Sequence, residues 1–266
     1  MSKLDLNSSN TFLYLSPISQ KIFNTIDSPQ ASLKDLNRLV SEDISLANNL
    51  FKMINSASYA FKRKLESVDD AIEFVGVHGF RELLLLSSAR KIFQNPELWY
   101  RTVFTAYCSK AIAERFGLKV NQCSEIYSMA LLLELGAVFL DFKDPNYTFQ
   151  IYDVDSRMVR FLKEQERYGL DSHEITMSFL ESFKLPVNIK KTILNQKPSF
   201  NYSNFNLTNA IIDLAYRLSF MYQPCNEDIQ DLLNLDHIQK FYLQNVDISS
   251  EFVSRLHLEV QEIASL

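Results

Sequence analysis

Glu134 is the one ionisable side chain in the run LLLELGAVFL, residues 131–140. A carboxylate in such a run is a metal ligand or catalytic acid, a buried charge with a partner, or part of a solvated face, and its immediate neighbours do not decide among these. Other chemistry-bearing residues are sparse. His78, His173, His237 and His257 lie far apart, and none belongs to an HxH, HExxH or His-Asp pair, so no local zinc or di-iron signature exists. Cys108, Cys123 and Cys225 are odd in number and lack a CxxC arrangement, which suggests neither a disulfide framework nor a Cys-rich zinc site. Five scattered glycines cannot build GxxxxGK[ST] or GxGxxG, and GxSxG is missing as well.

His173 follows Asp171 and Ser172, either of which can cap a helix, so it reads as an exposed or capped residue of a first turn rather than a ligand. His78, between Gly76 and Gly79, reads as a turn residue. Trp99, the only tryptophan, opens an amphipathic segment and reads as a packing anchor. The basic stretch FKRKLE, residues 61–66, reads as a solvated loop, because Asp69, Asp70 and Glu73 follow at once and cancel its field.

The elements that would carry these residues are helices. Of 266 residues 47% are hydrophobic and only five are Gly, which disfavours turn-rich β architecture and predicts an all-α, multi-helical fold. Ser32 looks like the cap of a helix striped by Leu33, Leu36, Leu39 and Val40, and Leu46, Ala47, Leu50, Phe51 and Ile54 stripe the next. Ser67 and Asp70 resemble a capping box, and Gly76 suits the end of the short helix they begin. A further helix over 80–93 ends at Asn95-Pro96, where a subdomain boundary is placed. Helices then follow near 97–116, 124–140, 155–168, 172–183, 187–195 and 206–222, with two or three more beyond. The expected organisation is a loose tail over 1–10, an N-terminal helical subdomain over 11–95, and a second helical subdomain over 96–266.

Twenty-seven Lys and Arg against 32 Asp and Glu leave a formal charge of −5, which offers no attractive field to a phosphate backbone, so nucleic acid is not expected as a partner. No basic and then apolar leader opens the chain, and no uninterrupted apolar stretch approaches the roughly 20 residues that span a bilayer. No membrane association and a cytoplasmic location are therefore expected.

The ordered segments LSPISQKIF, ASLKDLNRLVSEDISLANNLFKMINSASY and SVDDAIEFVGVHGFRELLL resemble the HDOD domain, a bacterial regulatory domain related to the HD and HD-GYP phosphodiesterases. The residues carrying the likeness are Asp43, Leu46, Leu50, Asn55, Ser56, Ala57, Tyr59, Ser67, Ala71, Ile72 and Gly76. It continues through LWYRTVFTAYCSKAIAERFGL, MALLLELGAVFL and ERYGLDSHEITMSFLESFKLPVNIKKTILNQK and thins over about the last sixty residues. The resemblance implies an N-terminal helical bundle packed on a half with HD-domain topology.

In the catalytic relatives histidines and a His-Asp pair hold metals, and the resemblance lays Arg101, Leu133 with Glu134, and Asn195 with Gln196 on those positions, His173 alone remaining a histidine. Leucine has no donor atom and arginine stays protonated, so the implied site is degenerate, with no metal, cofactor or catalytic residue expected. A buried Glu134 would then need another cation, and the family frame points to Arg101 as its partner.

The resemblance thus implies a non-catalytic bacterial signal-transduction module acting through an unknown protein partner. Asn55, Ser56, Tyr59, Phe61 and Arg63 are its candidate interaction surface. Two alternatives stand beside it: a metal-free sensor of a small nucleotide or cyclic dinucleotide, and a divergent metal-dependent phosphohydrolase using His173, Glu134 and Asp141.

Overall fold

The structure, a computed structural model, describes residues 32–54, 67–90, 93–153, 156–182, 206–241 and 243–265, together with Ile18, Lys21 and Thr25. Asn55, Ser56, Tyr59, Phe61, Arg63, Asn195 and Gln196, and the helix expected over 187–195, lie outside the described residues. Among those described, the regular structure is helical and no strand occurs, as the composition predicts.

Short amphipathic helices open the fold. α1 (Leu33–Ser41) begins at Ser32, whose hydroxyl accepts from the Asp35 N–H while the Asp35 carboxylate accepts from the Ser32 N–H. This reciprocal capping satisfies donors that a helix start would otherwise leave open. α2 (Ile44–Ile54) follows after two residues, and Leu36, Leu39, Val40, Leu46 and Leu50 are buried. In α3 (Val68–Arg90), Ser67 and Asp70 form the predicted start, the Ser67 hydroxyl accepting from the Asp70 N–H at 3.0 Å. Gly76 interrupts the helix with φ 73° and ψ 169°, a backbone conformation that a side chain would strain. His78 lies within the helical run after that kink, not in a turn.

α4 (Pro96–Arg115) is the central strut. Asn95 caps it, accepting from the N–H groups of Glu97 and Leu98, and Pro96 at the first position loses no hydrogen bond. α5 (Val120–Leu133) and α6 (Leu135–Lys143) pack beside it, and after a π-helical turn at Thr148–Tyr152 come α7 (Arg157–Tyr168) and α8 (Ser172–Ser182). α9 (Leu207–Leu218), α10 (Asn226–Leu233), α11 (Asp236–Gln239) and α12 (Ser250–Ala264) complete the fold. One contiguous hydrophobic cluster runs from Leu36 to Ile263 through both halves.

The C-terminal helix is fastened to α4 by polar bonds inside this core. The Trp99 indole N–H donates to the Ala264 carbonyl at 3.0 Å, and the ring is buried beside Phe93, as an anchor should be. His257 on α12 lies 3.2 Å from the Leu218 carbonyl through Nε2 and faces the Tyr100 hydroxyl through Nδ1. Burial lowers its pKa, which favours the neutral ring, and in that ring Nε2–H donates to the Leu218 carbonyl while Nδ1 accepts from the Tyr100 hydroxyl.

Residues Val120–Lys143 do contain an 18-residue window of mean hydropathy 1.6, apolar enough by length and composition to cross a membrane, where no such stretch is expected from uninterrupted runs. In this fold that window is 94% buried against the protein's own helices, which accounts for its composition.

The single helix expected over 124–140 is two. Glu134, at φ −89° and ψ 0°, ends α5 and precedes α6, breaking the backbone ladder. Thr176 of α8 fills the break: its hydroxyl donates to the Leu133 carbonyl at 3.2 Å and accepts from the Gly136 N–H at 2.8 Å. Both freed backbone groups are thereby satisfied in a dry interior. Thr176→Val keeps the shape and removes both bonds, and is expected to cost about 2–3 kcal/mol in urea unfolding. Thr176→Ser, which retains the hydroxyl, should cost no more than about half of that.

Candidate functional site

The break in the α5–α6 run turns Glu134 inward, and its carboxylate is 2% exposed. Its counterion is Arg160, fully buried on α7, which donates from Nη1 to Oε2 at 2.7 Å and from Nη2 to Oε1 at 3.2 Å. Two parallel charge-assisted bonds fix both carboxylate oxygens in one plane. Arg157 adds a weaker attraction, its Nε standing 3.8 Å from Glu134 Oε1, while its Nε and Nη2 make no hydrogen bond.

The far side of the Arg160 guanidinium meets a second buried acid. Glu164, one turn further along α7, lies 3.4 Å from Arg160 Nε and accepts from the Tyr147 hydroxyl and from the Ser172 N–H at 2.6 Å. That N–H is an open donor at the start of α8, where the helix dipole also favours a negative charge. The Arg160 guanidinium is flanked by the rings of Tyr152 and Tyr216, with centroids at 4.8 and 5.2 Å, and its Nη2 reaches the Ser172 hydroxyl at 3.4 Å. Two guanidinium groups thus balance two carboxylates. Asp213 and Arg217 of α9 form another buried pair nearby, joined at 2.8 Å, and Asp213 attracts Arg157.

The ionisation balance follows from this packing. Burial works against the charge of Arg160, but Glu134 and its neighbours outweigh it and hold the guanidinium firmly protonated. Burial lowers the pKa of Arg157, Glu134 opposing and Arg160 reinforcing the shift, yet arginine remains a cation. Burial raises the pKa of Glu164, and Arg160, Tyr147 and Ser172 limit the rise.

The expected Arg101–Glu134 pair is not formed. Arg101 is buried but turns to the edge of the fold, donating from Nε to Glu97 at 2.6 Å and from Nη2 to Asp153 at 3.0 Å. Its guanidinium lies 3.8 Å from the Phe220 ring centroid. The physical reason is local: Glu97 stands one helical turn before Arg101 and claims it, whereas α7 places Arg160 directly on Glu134. His173 is also corrected, since it is 3% exposed and not a surface residue, although Asp171 caps the helix as expected, accepting from the Glu174 N–H at 2.9 Å. Leu133 is buried beside Glu134.

Arg157, Arg160 and Glu164 escaped the sequence reading although RMVRFLKE carries their signal. With Phe161 they occupy the i, i+3, i+4 and i+7 positions of one helix face, where an amphipathic helix usually sets apolar residues. Charges in such a stripe mark an ionic core.

The resemblance implies a metal site at these positions, and the residues present do not fit one. Leu133 has no donor, both Glu134 oxygens are engaged by Arg160, and any cation entering would face two fixed guanidinium charges. Among the described residues no group of three or more His, Cys, Asp or Glu could hold a metal ion. Asp141, offered with His173 and Glu134 as a divergent ligand set, belongs to a different network: its Oδ1 accepts from Asn95 and Thr148.

Comparisons with known proteins bear on both family and fold. The family model of the HDOD domain matches residues 13–198. An uncharacterized protein of Treponema pallidum (strain Nichols) is 25% identical over 141 residues, 51% of this chain and 27% of that relative's length. A proposed phosphohydrolase from Shewanella amazonensis SB2B has a similar fold, with TM-score 0.73 and 17% identity, over 98% of this chain and 96% of that one. An HDOD domain protein with unknown function from Geobacter sulfurreducens gives 0.67 and 18%, covering 95% and 91%. A proposed signal transduction protein from Marinobacter aquaeolei VT8 gives 0.65 and 17%, covering all of this chain and 62% of that one.

Proposed function

This chain belongs to the HDOD domain family, and from that membership we propose that it is a non-catalytic regulatory module that works by binding a protein partner. The observation that carries the reading is the bidentate Arg160–Glu134 pair. Where a hydrolytic relative needs open oxygens around a divalent cation, this protein has an internal cation already seated on the buried carboxylate at the α5–α6 break. A guanidinium supplies charge compensation and fixed geometry, but it cannot bind and acidify a water molecule. What remains is a rigid helical scaffold, and such a scaffold acts by presenting surfaces.

The test pairs two assays on the full chain. Incubated with Mn²⁺, Mg²⁺ or Zn²⁺ and with phosphomonoester and phosphodiester substrates, it is expected to release no product above buffer. Affinity capture from the native cell is expected to return a protein at near-stoichiometric yield. Metal-dependent turnover that Glu134→Gln abolishes would overturn the reading.

A further inference from the structure

A cleft of about 570 Å³ opens where the start of α4 meets the end of α6, away from the ionic core. Gln94, Asn95, Pro96, Val138, Asp141, Phe142 and Pro145 line it. Its walls are apolar or amide, and Asp141 is the one ionised group among these lining residues. The Asp141 carboxylate is held through Oδ1, which accepts from the Asn95 amide at 3.1 Å and from the Thr148 hydroxyl, while Oδ2 accepts no bond from the described residues. Asn95 itself is fixed as the cap of α4 and also donates to Thr148 at 3.0 Å. The acid is therefore preorganised by a rigid corner, with an acceptor left over.

Two large exposed apolar residues belong to the segments that form this corner. Phe142 lines the cleft and is 54% exposed, and Phe149, next to the residue bonded to Asp141, is 85% exposed. Exposed aromatic rings beside a concave surface are characteristic of binding sites, since their burial on contact contributes much of the affinity at interfaces. Lys143 stands 5.6 Å from the Phe142 ring and 5.5 Å from the Phe139 ring, and does not line the cleft.

The geometry points to this cleft as the docking site for a basic segment of a protein partner, one lysine or arginine side chain entering it. The ammonium or guanidinium meets Asp141 Oδ2, the alkyl stem lies along Pro96, Pro145 and Val138, and flanking residues cover Phe142 and Phe149. Charge complementarity selects this occupant: the fixed acceptor is anionic, no Lys, Arg or His lines the cleft among the described residues, and the chain carries a net charge of −5. The inference rests on the reading of the chain as a protein-binding module and names the chemistry of its partner.

Random peptides displayed on phage, selected against the immobilised full chain, test the cleft without the natural partner. The selected peptides are expected to be enriched in Lys and Arg, and their affinity should fall at least tenfold on Asp141→Asn and again on Phe149→Ser. Because Phe149 is solvated, the second substitution leaves the fold intact, so a loss there cannot be ascribed to unfolding. Selected peptides with no excess of basic residues, or that bind both variants as well as the wild type, overturn the proposal. Capture of the native partner by Phe149→Ser at the wild-type level removes the cleft and leaves the module reading standing, whereas failure of the wild type to capture any partner removes the module reading itself.

Discussion

Arg160→Met is expected to destabilise the fold by about 3–5 kcal/mol, the usual cost of stranding a buried charge by removing its partner. The substitution keeps most of the side-chain volume and leaves Glu134 facing only Arg157, at 3.8 Å and without a hydrogen bond. Glu164 loses its cation as well and keeps only the Tyr147 hydroxyl and the Ser172 N–H. Urea unfolding of the variant and of Arg160→Met/Glu134→Gln gives the coupling. The double variant should be destabilised by less than the sum of the single ones, by about 1–3 kcal/mol, because neutralising Glu134 removes the charge that Arg160 served. Additive losses would mean that the two side chains are energetically independent.

The same variant has a pH signature. Burial holds the pKa of Glu164 above its ordinary value in the folded protein, so the folded state binds this proton more tightly than the unfolded chain. Stability linked to the group is then full below the ordinary carboxylate range and declines as pH rises through the raised value. Removing Arg160 takes away a lowering influence, which widens the window upward, so the destabilisation by Arg160→Met should grow as pH rises above the ordinary carboxylate range. A pH-independent difference between variant and wild type would count against a charged Glu164 beside Arg160.

Gly136→Ala is expected to be at least as damaging, about 3 kcal/mol or more, and to reduce soluble yield. A Cβ at this position would stand 1.8 Å from the Ser172 carbonyl oxygen and 2.7 Å from its carbonyl carbon. Backbone atoms cannot rotate aside as a side chain can. α8 would have to withdraw from the α5–α6 break, and with it go the Thr176 hydroxyl that satisfies Leu133 and Gly136 and the Ser172 N–H that holds Glu164. One methyl group therefore disturbs both the backbone junction and the ionic core. A circular-dichroism melt within a degree or two of the wild type would show that the close approach of α8 is not required.

Much of the helical framework is legible in the sequence because it rests on local rules. The Ser32 and Ser67 caps and the Asn95-Pro96 start of α4 follow from side chains acting within a few residues of themselves. The break at Glu134 is not legible, since nothing in LLLELGAVFL forbids a continuous helix; the groups it frees are satisfied through space by Thr176, 42 residues further along. The partner of Glu134 was missed for a related reason. A family resemblance lays positions side by side but does not say which side chains meet, and here the cation on Glu134 comes from α7 and not from Arg101. The burial of His173 likewise depends on where α8 docks, which its capping sequence does not encode.

Arg160 occupies Glu134 in the way a metal ion would in a hydrolytic relative. Calorimetric titration of the full wild-type chain with Mn²⁺, after preparation without chelators, measures this most directly. The Arg160–Glu134 pair predicts no saturable binding and no rise in melting temperature with added ion. Stoichiometric binding of one or two ions per chain, lost on Glu134→Gln, would contradict it.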